Sequence, residues 1–383
     1  DVSISVENTG KPVNGKFLEA SPYLDKDGTM YFSTIRSEEV IVLDDKAEGY
    51  YSQIYSASPE DNERSRYDWK DPVALGENIN RVDYHTSNVS LSPDGSRMFF
   101  TRTVLKGNEI TESKAYLSER TGSGWGAAQE LEGVNGEYIV RHPVAGELFG
   151  NEVIFFSSNM EGGKGGYDLY YSTLESGAKY SLPTNLGDEI NSIGDEITPF
   201  YQAGVLYFSS EGLPTMGGYD IFYSNWNGSG WSEPENMGLT INTTYDDIYY
   251  SLNTDGTEGF LVSNRPGTTT RSVGSKTCCD DIWSVKKRDI IIDVIATVVD
   301  EEGNDLTESS GEMFDLSAGG KQLAEESSGE TNTMTFQLDA DNAYKIVVKK
   351  DGYYPAETEI NTVGKMDDHT YNKKFVLKKK EDE

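Results

Sequence analysis

The chain has 383 residues, of which 36% are hydrophobic, so it is long enough for more than one domain with its own core. Its 33 basic and 65 acidic side chains give a net charge of −32. This charge disfavours nucleic acid as a partner, because that affinity comes from Lys and Arg meeting phosphates. The main interpretation of this charge is that it keeps the protein soluble. The alternative is that the acidic side chains bind divalent cations or a basic protein partner. No apolar run has the length of a membrane-spanning helix, and a start at Asp1 without a signal peptide indicates a mature form or a cut fragment.

A unit of about 50 residues recurs five times, a period typical of β-propellers. Each unit contains a short, continuous apolar run that indicates a strand buried on both faces. These runs begin at Met30, Met98, Val153, Val205 and Gly259. Each follows a turn signal, so the runs are predicted to be the second strands of tight hairpins in an all-β chain.

Two further positions repeat within these units. An aspartate precedes the third strand in three of them, at Asp168, Asp220 and Asp281. An asparagine follows an aromatic residue near the end of four of them, at Asn80, Asn135, Asn191 and Asn242. A catalytic carboxylate would not need three copies, so we interpret the aspartates as turn residues that accept backbone N–H bonds.

The fifth unit lacks its last part, and the N-terminus supplies a match. Gly10–Asn14 fits the G-x-x-I-N pattern, and Val2–Val6 alternates before it as a strand does. Pairing of this segment with the last blade would remove an open sheet edge. The sequence therefore predicts a five-bladed β-propeller over residues 1–287, in which the N-terminal strand completes the last blade and Asn14 is the fifth repeated asparagine.

The repeat stops after Arg288. Short strands near Ile290–Val299, Met334–Leu338, Tyr344–Val348 and Lys374–Leu377 predict a small β-sandwich over residues 288–378. The charged end, residues 379–383, indicates a solvated linker.

Two sets of motifs carry a resemblance. Gly165–Tyr170 and Gly230–Gly238 resemble the WD40-like PD40 repeats of TolB-related and OmpA-family bacterial envelope proteins. The V-x-D-x-x-G segment at Val298–Gly303 and Asp351-Gly352-Tyr353 are similar to carboxypeptidase regulatory-like domains, which are transthyretin-type sandwiches. Together they resemble the middle of PorE-type components of the type IX secretion system. In that family an OmpA-like peptidoglycan-binding domain follows the sandwich and helical repeats precede the propeller.

Three acidic residues recur where innermost strands begin: Glu19, Glu196 and Asp247. Carboxylates clustered at the mouth of a propeller channel would suit a hard cation such as Ca²⁺. The alternative is an acidic rim that is solvated or bonded to neighbouring turns. No other cofactor is expected.

Other candidate residues have mainly structural interpretations. His85 and His142 enter two successive blades but are too few for a metal site, and His369 belongs to no pattern. The glycine-rich loop Gly162–Gly166 precedes a strand instead of a helix, which excludes a phosphate-binding loop. The adjacent Cys278 and Cys279 are either free or joined in a strained ring, and they cannot supply a four-ligand zinc site alone.

The resemblance implies a non-enzymatic periplasmic scaffold, associated with the outer membrane, that binds other envelope secretion proteins. It implies contact with peptidoglycan only through a domain absent from this sequence. The segment Gly267–Lys276 is a candidate contact surface. The alternative is a carbohydrate- or ligand-binding propeller, with glycan cleavage indicated if Arg36, Arg102, Arg141 and Arg265 converge on the channel. A third hypothesis is a structural module stabilised by Ca²⁺.

Overall fold

The computed structural model describes residues 2–36, 51–60, 69–107, 109–122, 124–269, 280–340, 342–365 and 368–380. Every regular element in these ranges is a β-strand, which confirms the all-β class. None of the described residues forms a helix with the length and apolarity needed to cross a membrane. The chain separates into two compact units, Ser5–Lys286 and a smaller unit of Lys287–Glu383 with Asp1–Ile4.

The larger unit contains five antiparallel sheets. Strand β1 (Val2–Asn8) precedes the strands of the first sheet, which are β2 (Glu19–Leu24), β3 (Met30–Thr34), β4 (Gln53–Ala57) and β5 (Val73–Ala74). The second sheet contains β6 (His85–Leu91), β7 (Arg97–Lys106), β8 (Glu109–Thr121), β9 (Gly124–Trp125) and β10 (Gln129–Glu130). The third contains β11 (Val140–Leu148), β12 (Asn151–Ser158), β13 (Asp168–Ser176), β14 (Lys179–Tyr180) and β15 (Thr184–Asn185). The fourth contains β16 (Glu196–Gln202), β17 (Val205–Ser210), β18 (Asp220–Asn225) and β19 (Glu235–Asn236). The fifth contains β20 (Asp247–Leu252), β21 (Glu258–Ser263) and β22 (Asp281–Asp289).

These sheets form a closed ring. Their innermost strands, β2, β6, β11, β16 and β20, each contact the innermost strands of both neighbouring sheets. The fifth sheet gains its outer strand from the N-terminus, because β1 pairs with β22. Antiparallel sheets arranged radially around an axis are the architecture of a β-propeller.

Apolar layers between adjacent sheets explain the continuous apolar runs of the second strands. Successive residues of a strand point to opposite faces. On β7, Phe99 therefore packs in a cluster with the third sheet, whereas Phe100 packs in a cluster with the first sheet. Both rings are fully buried, and each such burial stabilises the fold by about 1.5–3 kcal/mol.

The smaller unit contains two sheets around one apolar core. Its strands are β23 (Ile292–Asp300), β24 (Ser310–Asp315), β25 (Lys321–Ser327), β26 (Thr333–Leu338), β27 (Ala343–Lys349), β28 (Ala356–Asn361) and β29 (His369–Leu377). One sheet has the order β26-β23-β29, with β29 parallel to β23, and the other has the order β25-β24-β27-β28. Val294 and Phe336 of the first sheet share a core with Tyr344 and Ile346 of the second.

Candidate functional site

The five repeated asparagines fasten the third strands of the propeller. In each case the side-chain oxygen accepts the N–H of one strand residue and the side-chain nitrogen donates to the same residue's carbonyl, at 2.7–3.0 Å. The pairs are Asn14 with Ile282, Asn80 with Ile54, Asn135 with Ala115, Asn191 with Leu169, and Asn242 with Ile221. These bonds occupy both functional groups of each amide. Each asparagine therefore fixes its own segment to the third strand of the same sheet.

The three repeated aspartates lie at the start of third strands and are almost fully buried. Asp168 accepts the backbone N–H groups of Lys164 and Gly165, and Asp220 accepts those of Met216 and Gly217. Asp281 accepts the backbone N–H and the hydroxyl of Thr269. Two N–H groups of the Gly162–Gly166 loop, those of Lys164 and Gly165, are thus directed at a carboxylate of their own sheet.

A second set of asparagines, which the sequence analysis missed, supports the first. Asn8, Asn185 and Asn236 stand six residues before a repeated asparagine. Each accepts a bond from that asparagine and donates to the aspartate of its sheet, as Asn8 does to Asn14 and Asp281. The signal was present in the sequence as an N-x-G motif that begins at each of these three asparagines.

The acidic residues proposed for calcium are each bonded within their own sheet. Glu196 accepts bonds from Ser192 and Ser210, and Asp247 accepts bonds from Thr243 and Arg265. Glu19 accepts a bond from Thr34 and lies 3.6 Å from Arg36, while its Oε2 has no hydrogen-bond partner. Across the residues that the structure describes, no three His, Cys, Asp or Glu side chains are grouped to hold a metal ion. Calcium at these positions stays a prediction.

The four candidate arginines do not converge on the channel. Arg36, Arg102 and Arg265 donate to backbone carbonyls in the turns that end with a repeated asparagine, such as Pro12, Ile79 and Ile241. Arg141 lies over the ring of Tyr167, 5.2 Å from its centre. The arrangement that would have indicated glycan cleavage by an arginine cluster is therefore not formed by these side chains.

The two channel histidines differ in burial. His142 is 4% exposed, and its Nδ1 accepts the N–H of Thr198 at 3.3 Å while its Nε2 has no partner. Burial holds the pKa of His142 well below its ordinary value of 6.5. His85 is half-buried and accepts the N–H of Ser52, and burial lowers its pKa as well. Cys278, Cys279 and residues 270–276 of the proposed contact surface lie outside the described residues.

The channel narrows where each innermost strand carries a bulge. At these bulges one residue of every innermost strand has a positive φ: Ser21, Asn88, His142, Thr198 and Tyr249, with φ between 48° and 58°. The Tyr249 hydroxyl donates to Asn88 across the axis at 2.6 Å. Only about 40 Å³ of space remains among these residues, so the ring is closed to anything larger than water.

Beyond this constriction the axis widens into a cavity of about 650 Å³ at the end where the first hairpins turn. All five sheets line it, and its most prominent side chains are the aromatic rings of Tyr23, Phe200 and Tyr201. Gly146 lies against Tyr201, because a Cβ there would come within 2.9 Å of the ring. We call this space the axial cavity. A volume of about 300–1,000 Å³ is typical of small-ligand sites.

Carboxylates surround the aromatic rings of the axial cavity. Glu147 is exposed at its edge, and burial of the Tyr201 hydroxyl, together with the charge of Glu147, raises the pKa of Tyr201. Glu152 forms two hydrogen bonds with Arg97, at 2.6 and 2.7 Å, and Asp25 is paired with Arg120. The cavity therefore combines apolar ring faces with hydrogen-bonding groups and the exposed carboxylate of Glu147 at its mouth, a surface that suits an uncharged, hydroxyl-rich ligand.

Comparison with known proteins gives structural neighbours alone. No family model matches the chain, and no curated protein is significantly similar to it. An alpha-L-arabinofuranosidase from Lactobacillus brevis has a TM-score of 0.44 at 13% identity, covering 77% of this chain and 94% of its own. An endo-arabinase from Bacteroides thetaiotaomicron has a TM-score of 0.43 at 14% identity, and the match covers 73% of this chain and 96% of the arabinase. An exo-beta-1,3-galactanase from Clostridium thermocellum has a TM-score of 0.43 at 14% identity, and the match covers 91% of this chain and 81% of the galactanase.

These neighbours contradict two predictions from the sequence. They are named as enzymes that act on glycans, so the expected non-enzymatic secretion scaffold and the expected absence of enzymatic activity are both withdrawn. The sequence favoured the scaffold because it rested on repeat motifs, which specify blades and carry no information about what lies on the axis. TM-scores below 0.5 transfer neither activity nor substrate to this chain, so the function has to be argued from the axial cavity.

Proposed function

We propose that the larger unit is a five-bladed propeller that binds a neutral carbohydrate in its axial cavity, and that the smaller unit is a transthyretin-like sandwich. The observation that carries the function is the cavity of about 650 Å³ on the propeller axis, lined by Tyr23, Phe200 and Tyr201 with Glu147 at its edge. Sugars present an apolar C–H face that packs on an aromatic ring and hydroxyl groups that bond to carboxylates and amides.

The charge of the cavity supports a neutral ligand. Arg97 and Arg120 are already paired with Glu152 and Asp25. The exposed Lys26 also lines the cavity, and the carboxylate of Glu147 at the edge matches its charge. The lining therefore offers no excess positive charge to a phosphate or another anion, in a chain whose net charge is −32.

Isothermal titration calorimetry with a panel of neutral oligosaccharides tests this proposal. We expect at least one series to bind, and we expect Tyr201→Ala and Glu147→Gln each to weaken that binding. Tyr245→Ala is the matched control, because this tyrosine is 43% exposed and does not line the cavity. Chromatography of the same mixtures after long incubation shows whether the sugar is also cleaved. Absence of binding across the panel, or equal binding by the Tyr201 variant and the wild type, would overturn the proposal.

A further inference from the structure

An aromatic pair, in which one ring is exposed and the other half-buried, adjoins the axial cavity. Phe149 lies at the tip of the hairpin between β11 and β12 and is 60% exposed. Its ring meets that of Trp226 edge to face, with centroids 5.0 Å apart and planes at 84°. Glu147, two residues before Phe149, lines the cavity, and so does Gly204, whose carbonyl accepts the N–H of Trp226 at 2.8 Å. The pair therefore borders the cavity edge formed by the third and fourth sheets.

The backbone at Phe149 is unfavourable for a phenylalanine. Phe149 and Gly150 have φ of 53° and 72°, as a two-residue hairpin turn of type I′ requires. Asn, Asp and Gly are favoured at the first of these positions, and a bulky residue is rare there. An exposed aromatic ring held in a strained turn indicates that the ring itself has a use.

A continuous series of rings joins this pair to the cavity wall. Trp226 packs on Trp231 at 5.1 Å, and Trp231 packs on the buried Phe155 at 6.1 Å. Phe155 stacks on Tyr201 of the cavity at 5.4 Å and 29°. The position of Phe149 and Trp226 is thus fixed relative to Tyr201 by packed aromatic side chains.

We propose that Phe149 and Trp226 form an outer platform for further sugar units, so that the ligand is an extended oligosaccharide with one end in the axial cavity. This inference rests on the proposed function. The occupant is a sugar chain because the platform adjoins the edge of the axial cavity at Glu147, and because ring faces bind successive sugars through their C–H faces.

The test compares a disaccharide and a hexasaccharide of the same neutral series by calorimetry. We expect the wild type to bind the hexasaccharide about tenfold more tightly than the disaccharide. Phe149→Asn should abolish this difference and leave the disaccharide affinity unchanged, because Asn suits the turn and the hairpin is retained. Leu239→Ala, at a residue 82% exposed and remote in sequence from the pair, is the control and should behave as the wild type.

The outcomes separate the two proposals. Equal affinity for both sugars in the wild type, or an equal loss for both in Phe149→Asn, overturns the platform and leaves binding in the cavity supported. Failure of the wild type to bind either length, or any other saccharide of the panel, overturns the proposed function together with the platform.

Discussion

The side chain of Asn14 forms two hydrogen bonds with the backbone of Ile282, which lies 268 positions further along the chain. The same amide also donates to Asn8, and Asn8 in turn donates to Asp281. These bonds reproduce, between the two ends of the propeller sequence, the network that Asn185 and Asn191 form within a single sheet. Closure of the ring therefore depends on buried polar contacts as well as on the pairing of β1.

Replacing Asn14 by Ala removes both bonds to Ile282 and leaves buried backbone groups without partners. We expect the free energy of unfolding to fall by about 2–4 kcal/mol, since an unsatisfied buried polar group costs about 1–3 kcal/mol. Urea unfolding measures the change. Asn227→Ala is the control, because Asn227 is exposed and bonds only within its own turn.

Deletion of residues 1–12 should lower the melting temperature sharply, and an unchanged melting temperature would contradict closure by the N-terminus.

Glu19 should make stability depend on pH near neutrality. Burial raises its pKa to about 7 from an ordinary 4.5. Between these values the folded protein retains a proton that the unfolded chain has released, so the contribution of Glu19 to stability is fully present below about pH 4.5 and is lost as the pH rises to about 7. Glu19→Gln stays neutral, and we expect it to be more stable than the wild type by up to about 3 kcal/mol at about pH 8 and nearly equal at about pH 4.

Urea unfolding of both proteins across this pH range measures the difference. Glu147→Gln, which makes the same substitution at an exposed carboxylate, is the control. A constant difference between wild type and Glu19→Gln at all pH values would show that the pKa of Glu19 is the same in the folded and unfolded states, which would contradict the prediction.

The ring could be predicted from sequence because its parts repeat. Every sheet contributes a second strand buried on both faces, and a blade needs an amide such as Asn191 at the same place each time. The axial cavity could not be predicted, because each innermost strand changes its side-chain alternation at the bulge. In β16 the register shifts between Ile197 and Phe200, so the sequence does not reveal that Phe200 and Tyr201 line the axial cavity.

The smaller unit shows a second limit of sequence patterns. β23 alternates buried and half-buried residues and was located from its apolar run. β25 is exposed along almost its whole length and therefore has no apolar periodicity to detect. It is an edge strand held by backbone pairing with β24, a contact that depends on the rest of the sheet.

Two ion pairs near the axial cavity should differ in their response to salt. Asp25 is 7% exposed in its pair with Arg120, whereas Glu152 and Arg97 are 30% and 20% exposed. We expect Asp25→Asn to cost about 1.5–3 kcal/mol, because it weakens a charge-assisted hydrogen bond whose carboxylate is buried. Glu152→Gln should cost about 1 kcal/mol.

Thermal unfolding at about 0.1 M and about 1 M NaCl separates the two cases. The deficit of Glu152→Gln should shrink at high salt, since exposed charges are screened, and that of Asp25→Asn should persist. Equal sensitivity of both variants to salt would contradict the difference in burial.

Gly146 leaves the space that Tyr201 occupies in the cavity wall. A Cβ at this position would come within 2.5 Å of Phe155 and 2.9 Å of Tyr201, two rings that stack on each other. Gly146→Ala should therefore destabilise the protein by about 1–3 kcal/mol and shift Tyr201, which would also weaken oligosaccharide binding. Gly124→Ala is the control, because its nearest neighbour would be 3.9 Å away and its φ is not positive. Unchanged melting and unchanged binding in Gly146→Ala would mean that the two rings move aside freely, and that the packing of Tyr201 does not set the shape of the site.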